Sequence, residues 1–119
     1  KMDSEEMFVD ADNAEIINAA KIRRNAVVAV GTTTMKALES AVTMPNRIKA
    51  VSQWTNKFIF PPYEFTLADA MITNFHLPKS PMMMQAAAFA DYDFLMKAYK
   101  EAIANKYRFF TYGDAMLIL

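Results

Sequence analysis

Apolar residues recur most regularly near the end of the chain. In "DYDFLMKAYKEAIANK", Leu95, Ala98, Tyr99, Ala102 and Ile103 keep the i, i+3, i+4, i+7, i+8 spacing of one helical face. The pattern is different at 26–30, where "AVVAV" is apolar at every position and β-branched at three. That predicts a short strand covered on both faces, as in the middle of a parallel sheet. "GTTTMKALESAV" follows at once, with Met35, Leu38 and Val42 on one helical face. The order strand, tight turn, helix is half of a βαβ unit. "ADAMITNF" predicts a second apolar strand centred on residues 70–72.

Local signals fill in the rest. A helix is expected over 14–24, opened by a capping-box pattern at Asp12 and Glu15. Lys21, Arg23 and Arg24 lie at its negative end, and Asn25 is suited to a left-handed close. Residues 44–52, around Pro45 and Asn46, read as a surface connection. "KFIFPPYEF" reads as a short strand broken by Pro61 and Pro62, which cannot donate to a sheet ladder. Ser80 suits a helix N-cap and Pro81 the first helical position, so a helix is expected through "MMMQAAAFA". "YRFFTYGDAMLIL" reads as two strands joined at Tyr112, Gly113 and Asp114.

Together these elements predict one α/β domain over 1–119: three layers, with a mainly parallel sheet flanked by helices. The two apolar strands, "AVVAV" and "AMIT", should be central neighbours.

Composition narrows the chemistry. With 54% hydrophobic and 22% charged residues, the 119-residue chain can bury a real core. Thirteen basic and thirteen acidic side chains cancel, so there is no overall polycationic signature for nucleic acid. The absence of cysteine excludes disulfides, thiolate metal sites and a cysteine nucleophile. No apolar run approaches the roughly 18 residues that span a bilayer, and "KMDSEEMF" lacks a signal-peptide core. The expectation is a cytoplasmic domain. Ten methionines, three of them consecutive at Met82, Met83 and Met84, read as flexible core filling or as an adaptable binding surface.

In parallel sheets, ligands bind beyond the carboxyl ends of the strands. Two polar clusters fall there: Gly31, Thr32, Thr33 and Thr34 after the first apolar strand, and "TNFHLPKS" after the second. The latter holds the chain's one histidine, His76, with Asn74 and Lys79 near it. It is either a site residue or a satisfied core imidazole. The Gly31 turn likewise offers hydroxyls at a helix N-terminus, which suit an anion, or a plain cap. The dinucleotide fingerprint, the Walker pattern and the G-x-S-x-G elbow are all absent. One histidine without cysteine gives no catalytic zinc set.

"VGTTTMKALES", "FIFPPYEF", "DAMITNFHLPKSPMMM" and "YRFFTYGDAMLIL", in this order, resemble the C-terminal portion of the S-adenosylmethionine:tRNA ribosyltransferase-isomerase family of queuosine biosynthesis. The resemblance implies a fragment of about the last third of a longer enzyme. It would be the closing part of the family's α/β domain, with the β-barrel insertion and first strands absent, and inactive alone. The implied reaction joins the ribosyl group of S-adenosylmethionine to a 7-aminomethyl-7-deazaguanine base of tRNA and isomerises it. Epoxyqueuosine forms, and adenine and methionine leave. The implied partners are S-adenosylmethionine and the precursor-bearing tRNA, with no membrane, no metal and no cofactor beyond that co-substrate. The full-length enzyme is expected to be a monomer.

Carried over by motif, Gly31, Thr32 and Thr33 match the family's glycine-threonine-threonine turn. Thr73, Asn74, Phe75, His76 and Lys79 fall in its histidine loop, and Gly113 and Asp114 in its terminal turn. The resemblance makes His76 the acid/base candidate and Asp69 and Asp114 candidates to take a proton or pair with the sulfonium. Tyr63, Phe75 and Tyr112 could supply π faces. For each acid the alternative is a cap or turn residue, and for each aromatic a core position. The sequence departs from the family at Lys36, where arginine is expected, and at Pro62, where a proline-glycine pair is usual. "SPMMMQAAAFADYD" also replaces a leucine-rich stretch. The rival reading is a non-catalytic α/β domain that binds an anion or nucleotide, or serves interaction. A basic face is also conceivable, from Lys21, Arg23 and Arg24 and from Lys97, Lys100, Lys106 and Arg108, with a solvated surface as the alternative.

Overall fold

The computed structural model describes residues 4–78 and 80–119. Its elements are β1 (Glu5–Val9), α1 (Ala11–Ile22), β2 (Val28–Val30), α2 (Thr32–Ser40), β3 (Val42–Met44), β4 (Arg47–Ile48), β5 (Val51–Thr55), β6 (Ala70–Asn74), α3 (Pro81–Phe89), α4 (Tyr92–Ala104) and β7 (Ala115–Ile118). The class is α/β. The strands form three small sheets: β1 with β5, β3 with β4, and the order β2-β6-β7.

The third sheet positions the site. β6 is its middle strand, parallel to β2 in the register Val28 to Ala70, and antiparallel to β7 in the register Asn74 to Ala115. "AVVAV" and "AMIT" are therefore neighbours, as expected, but only the second is central. β2 is an edge strand among the described residues, and Val28 and Val30 are exposed while Ala29 is sealed. Parallel pairing is limited to β2 and β6; the other strand pairs are antiparallel.

Other expectations shift for local reasons. α1 starts earlier than predicted because Asp10, not Asp12, is its cap, accepting from the Asn13 amide at 2.8 Å. It is closed by Arg24 at φ 61°, not by Asn25. Val42 leaves the helical face and pairs in β3. Residues 44–52 hold a hairpin turn with Asn46 at φ 68°, strand β4 and the start of β5, which pairs with β1. Both strands of that ribbon escaped the reading because each sets its apolar residues outward as well as inward: Phe8 and Trp54 are exposed, Met7 and Val9 buried. "KFIFPPYEF" forms no strand and is irregular, with a cis Pro61–Pro62 bond. The first of the two strands expected in "YRFFTYGDAMLIL" is likewise irregular.

Two apolar clusters hold the elements together. One gathers Ala29, Met35, Leu38, Ile48, Leu67 and Met71 under α1 and α2. The other joins Phe75 to Met83, Ala86 and Ala87 of α3 and to Leu95, Tyr99 and Ala102 of α4. Ile118 packs against both. The amphipathic face of α4 is narrower than predicted, since Ala98 and Ile103 are exposed. Met35, Met71 and Met83 fill core, and truncating one to alanine would cost about 2–5 kcal/mol. Met82 is half exposed at a cavity rim. α3 starts as predicted, with the Ser80 hydroxyl accepting from the Met83 amide at 3.1 Å and Pro81 at the first position.

Candidate functional site

Because β2 and β6 are parallel, their carboxyl ends open on the same side. Gly31 continues the ladder one residue past β2, its amide donating to the Ile72 carbonyl at 2.8 Å. The chain then turns at φ 98°, a conformation that side chains rarely adopt, and enters α2. Gly31 caps α2 without a side-chain hydrogen bond, so the threonine hydroxyls do not cap it. The first amides of a helix have no intrahelical partner. β7 runs antiparallel to β6, so the loop leading into it arrives at the same end and brings Phe110 and Thr111. The result is a cleft of about 570 Å³ between the Gly31 turn, the end of β6, the start of α3 and that loop.

His76 lines this cleft and is 8% exposed. Its Nε2 lies 2.7 Å from the Thr73 hydroxyl, which fixes the ring. Its backbone amide donates to the Tyr99 hydroxyl at 2.8 Å, tying the loop to α4. Nδ1 makes no hydrogen bond among the described residues. Burial holds the imidazole below its ordinary value near 6.5, so the ring is neutral at physiological pH. A neutral, oriented imidazole with one open nitrogen can accept or relay a proton. Burial also raises the Tyr99 hydroxyl, opposed by the hydrogen bond from His76.

The other sequence candidates divide. Gly31, Thr32, Thr33, Thr73 and Asn74 line the cleft with His76. Asn74 also braces the facing loop, its amide donating to the Asp114 carbonyl at 3.1 Å. Phe75 points into the second core instead, with its ring 4.9 Å from Phe109 and 5.1 Å from Tyr99. Tyr63 lies in the irregular segment and donates to Glu39 at 3.2 Å. Burial, then the Glu39 charge and hydrogen bond, raise its hydroxyl far above 10. Glu39 also accepts from the amides of Thr66 and Leu67, so the pair fastens that segment to α2. Tyr112 is 96% exposed, away from the cleft. Lys79 lies outside the described residues.

Neither acid candidate reaches the cleft. Asp69 sits before β6, at the opposite end of the sheet, bound by Lys21 at 3.0 Å and by the Val27 amide at 2.9 Å. Asp114 accepts from the Arg108 amide at 2.7 Å and closes the turn before β7. In that turn a Cβ on Gly113 would stand 2.6 Å from the Arg108 carbonyl, so glycine there answers a close backbone approach. Lys21, bound to Asp69, is not free for a phosphate. Arg23, Arg24, Lys97, Lys100, Lys106 and Arg108 are exposed.

Sequence reasoning missed Phe110 and Thr111 as cleft residues, and Gln85 and Glu5 beside it. The signal for the first two was the motif "YRFFTYGDAML" itself, in which the turn was placed a few residues late. Gln85, one polar side chain inside "MMMQAAAFA", was visible as an interruption of an apolar run.

Fold and cleft define an α/β protein with a pocket of mixed polar and apolar lining at the carboxyl end of its parallel strands. A family model described as "Queuosine biosynthesis protein" matches residues 1–118, and the chain belongs to that family. It is 53% identical over 119 residues to the S-adenosylmethionine:tRNA ribosyltransferase-isomerase of Flavobacterium psychrophilum, covering 100% of this chain and 34% of the relative. The Bacteroides fragilis protein of the same name is 56% identical, with the same coverage. A crystal structure of the Thermotoga maritima S-adenosylmethionine tRNA ribosyltransferase superposes with a TM-score of 0.89 at 46% identity, over 96% of this chain and 40% of that one. The chain thus spans about a third of the length of the curated relatives it matches. Among the described residues, no helix is long and apolar enough to cross a membrane.

Proposed function

We propose that the full-length protein transfers the ribosyl group of S-adenosylmethionine to the 7-aminomethyl-7-deazaguanine base of tRNA and isomerises it to epoxyqueuosine, releasing adenine and methionine. The observation that carries this reading is identity of about one half, over the whole chain, to relatives bearing that enzyme's name. The residues of the Gly31 turn and the histidine loop, which carry the resemblance, converge on one cleft.

In this reading His76 is the acid/base residue, working through Nδ1, with Thr73 holding the ring. The reaction needs a base for a proton beside the sulfonium and assistance for the departing adenine, both within reach of one neutral imidazole. Gly31, Thr32 and Thr33 would hold the co-substrate against the open amides of α2. Asp69, Asp114, Tyr63 and Phe75 have structural roles, and Tyr112 is exposed. The reading requires S-adenosylmethionine as the one co-substrate, without metal, and places the protein in the cytoplasm as a monomer. The full-length chain would add strands at the open edge of β2, giving the three-layer, mainly parallel sheet, with the barrel inserted elsewhere. Residues 1–119 alone, as the closing part of that domain, would be inactive.

The test is mass spectrometry of precursor-bearing tRNA incubated with the full-length protein and S-adenosylmethionine. A ribosyl-derived adduct with release of adenine and methionine is expected. A methylated base instead would overturn the reading.

A further inference from the structure

Beside the main cleft lies a smaller cavity of about 220 Å³ that shares Thr32, Thr33 and Met82 with it. Its remaining polar residues are Glu5, Lys36 and Gln85. Their hydrogen bonding is incomplete. Lys36, one turn into α2, is 3% exposed, and its ammonium has a single partner among the described residues, the Glu5 carboxylate. An ammonium has three donors to place. The Glu5 side chain is 44% exposed, so its carboxylate keeps room for a further donor. Gln85 is 5% exposed and donates through Nε2 to the Thr32 carbonyl at 3.1 Å. Its Oε1 is the one buried side-chain oxygen or nitrogen without a partner among the described residues. Such an orphan is rare in native proteins and points to a donor that arrives from outside.

We infer that this cavity holds the α-amino-acid end of the sulfonium co-substrate. The inference rests on the reading that the co-substrate is S-adenosylmethionine. The ligand's carboxylate meets the Lys36 ammonium and the open amides of the first turn of α2, and its ammonium meets Glu5 and the orphaned Gln85 oxygen. A phosphate fits poorly, because Glu5 would repel it and it offers no donor to Gln85. A simple cation fits poorly against Lys36 and a helix N-terminus. A zwitterion matches both signs at once. Since the two cavities share a wall, one molecule can place its nucleoside beside His76 and its amino acid here.

The test compares two ligands of the full-length protein by calorimetry: S-adenosylhomocysteine, and 5′-methylthioadenosine, which keeps the nucleoside thioether but lacks the amino-acid end. The unaltered protein should prefer the first by about 10–100-fold, as expected for charge-assisted hydrogen bonds. Lys36→Met and Gln85→Leu should each remove most of that preference while leaving 5′-methylthioadenosine affinity unchanged, which also reports an intact fold. If Lys36→Met loses both ligands through unfolding, the Gln85→Leu result decides. A preference kept in both folded variants overturns the subsite while leaving the co-substrate reading intact. Binding of neither ligand to the unaltered protein removes that reading, and the inference with it.

Discussion

The two ends of strand β6 hold similar polar side chains and use them in opposite ways. At the amino end, Lys21 donates to the Leu67 carbonyl at 2.8 Å and to both Asp69 oxygens at 3.0 and 3.1 Å, while the Val27 amide completes the carboxylate. Polar groups there are matched to one another. At the carboxyl end, His76 has one nitrogen bound and one open, the first amides of α2 lack a side-chain cap, and Gln85 keeps an orphaned oxygen. Residue type does not separate the two ends, since an aspartate and a lysine are as reactive on paper as a histidine and a threonine. Unfilled hydrogen-bonding capacity does. The saturated end is a fastening, and the unsaturated end is where a ligand can complete the set.

The sharpest way to break this contrast is His76→Asn in the full-length protein. The expected loss of turnover is about 10²–10⁴-fold with the melting temperature nearly unchanged. A lower melting temperature with full turnover in the folded fraction would make the two ends equivalent. Next in size is Gly113→Ala, which sets a Cβ against the Arg108 carbonyl and should cost about 1–3 kcal/mol in denaturant unfolding. A neutral result would mean that the loop facing His76 adjusts freely.

Asp69→Asn should cost about 1 kcal/mol, the ceiling for a half-exposed ion pair, and leave turnover alone. Burial would raise the Asp69 carboxyl, but the Val27 amide and then Lys21 outweigh it and hold it below its ordinary value. Its folded value being depressed, it contributes stability that is present above about pH 4 and lost as pH falls through the folded value. The variant should flatten that acid limb in pH-dependent melting, and an unchanged limb would remove Asp69 as the fastening. The smallest effect concerns His76. Burial depresses it too, so the unfolded chain takes up its proton first and stability declines as pH falls below about 6.5. His76→Gln should remove that shallow decline, measured over pH 5–7.

Strong local signals were legible where a single element decides its own fate. Ser80 and Pro81 start α3 as their chemistry dictates, and "AMIT" is a buried strand. The convergence of the Gly31 turn with the histidine loop was legible too, because parallel strands must open their carboxyl ends together. What the sequence hid depends on partners far along the chain. "AVVAV" reads as central, yet whether its outer edge is covered depends on strands the residues themselves cannot report. Asp69 and Asp114 looked equivalent as second candidates beside His76 until Lys21, distant in sequence, closed on Asp69. Phe75 and Tyr112 lie in or beside the right motifs, but backbone direction sends one into the core and the other into solvent.

Apart from the β3–β4 hairpin, the sheets join distant residues: Glu5 with Thr55, Val28 with Ala70, Asn74 with Ala115. Each of these long-range ladders closes a loop of roughly forty to fifty residues before its first hydrogen bond can form, which is the slow regime of folding. Helices α3 and α4, whose bonds are local, can form long before the strand beside them has its neighbours. A nascent chain would present β6, the most buried strand of its sheet, with one edge unpaired until β7 is made. β7 follows β6 by way of both helices, so the residues that close the cleft are also those whose synthesis ends that exposure.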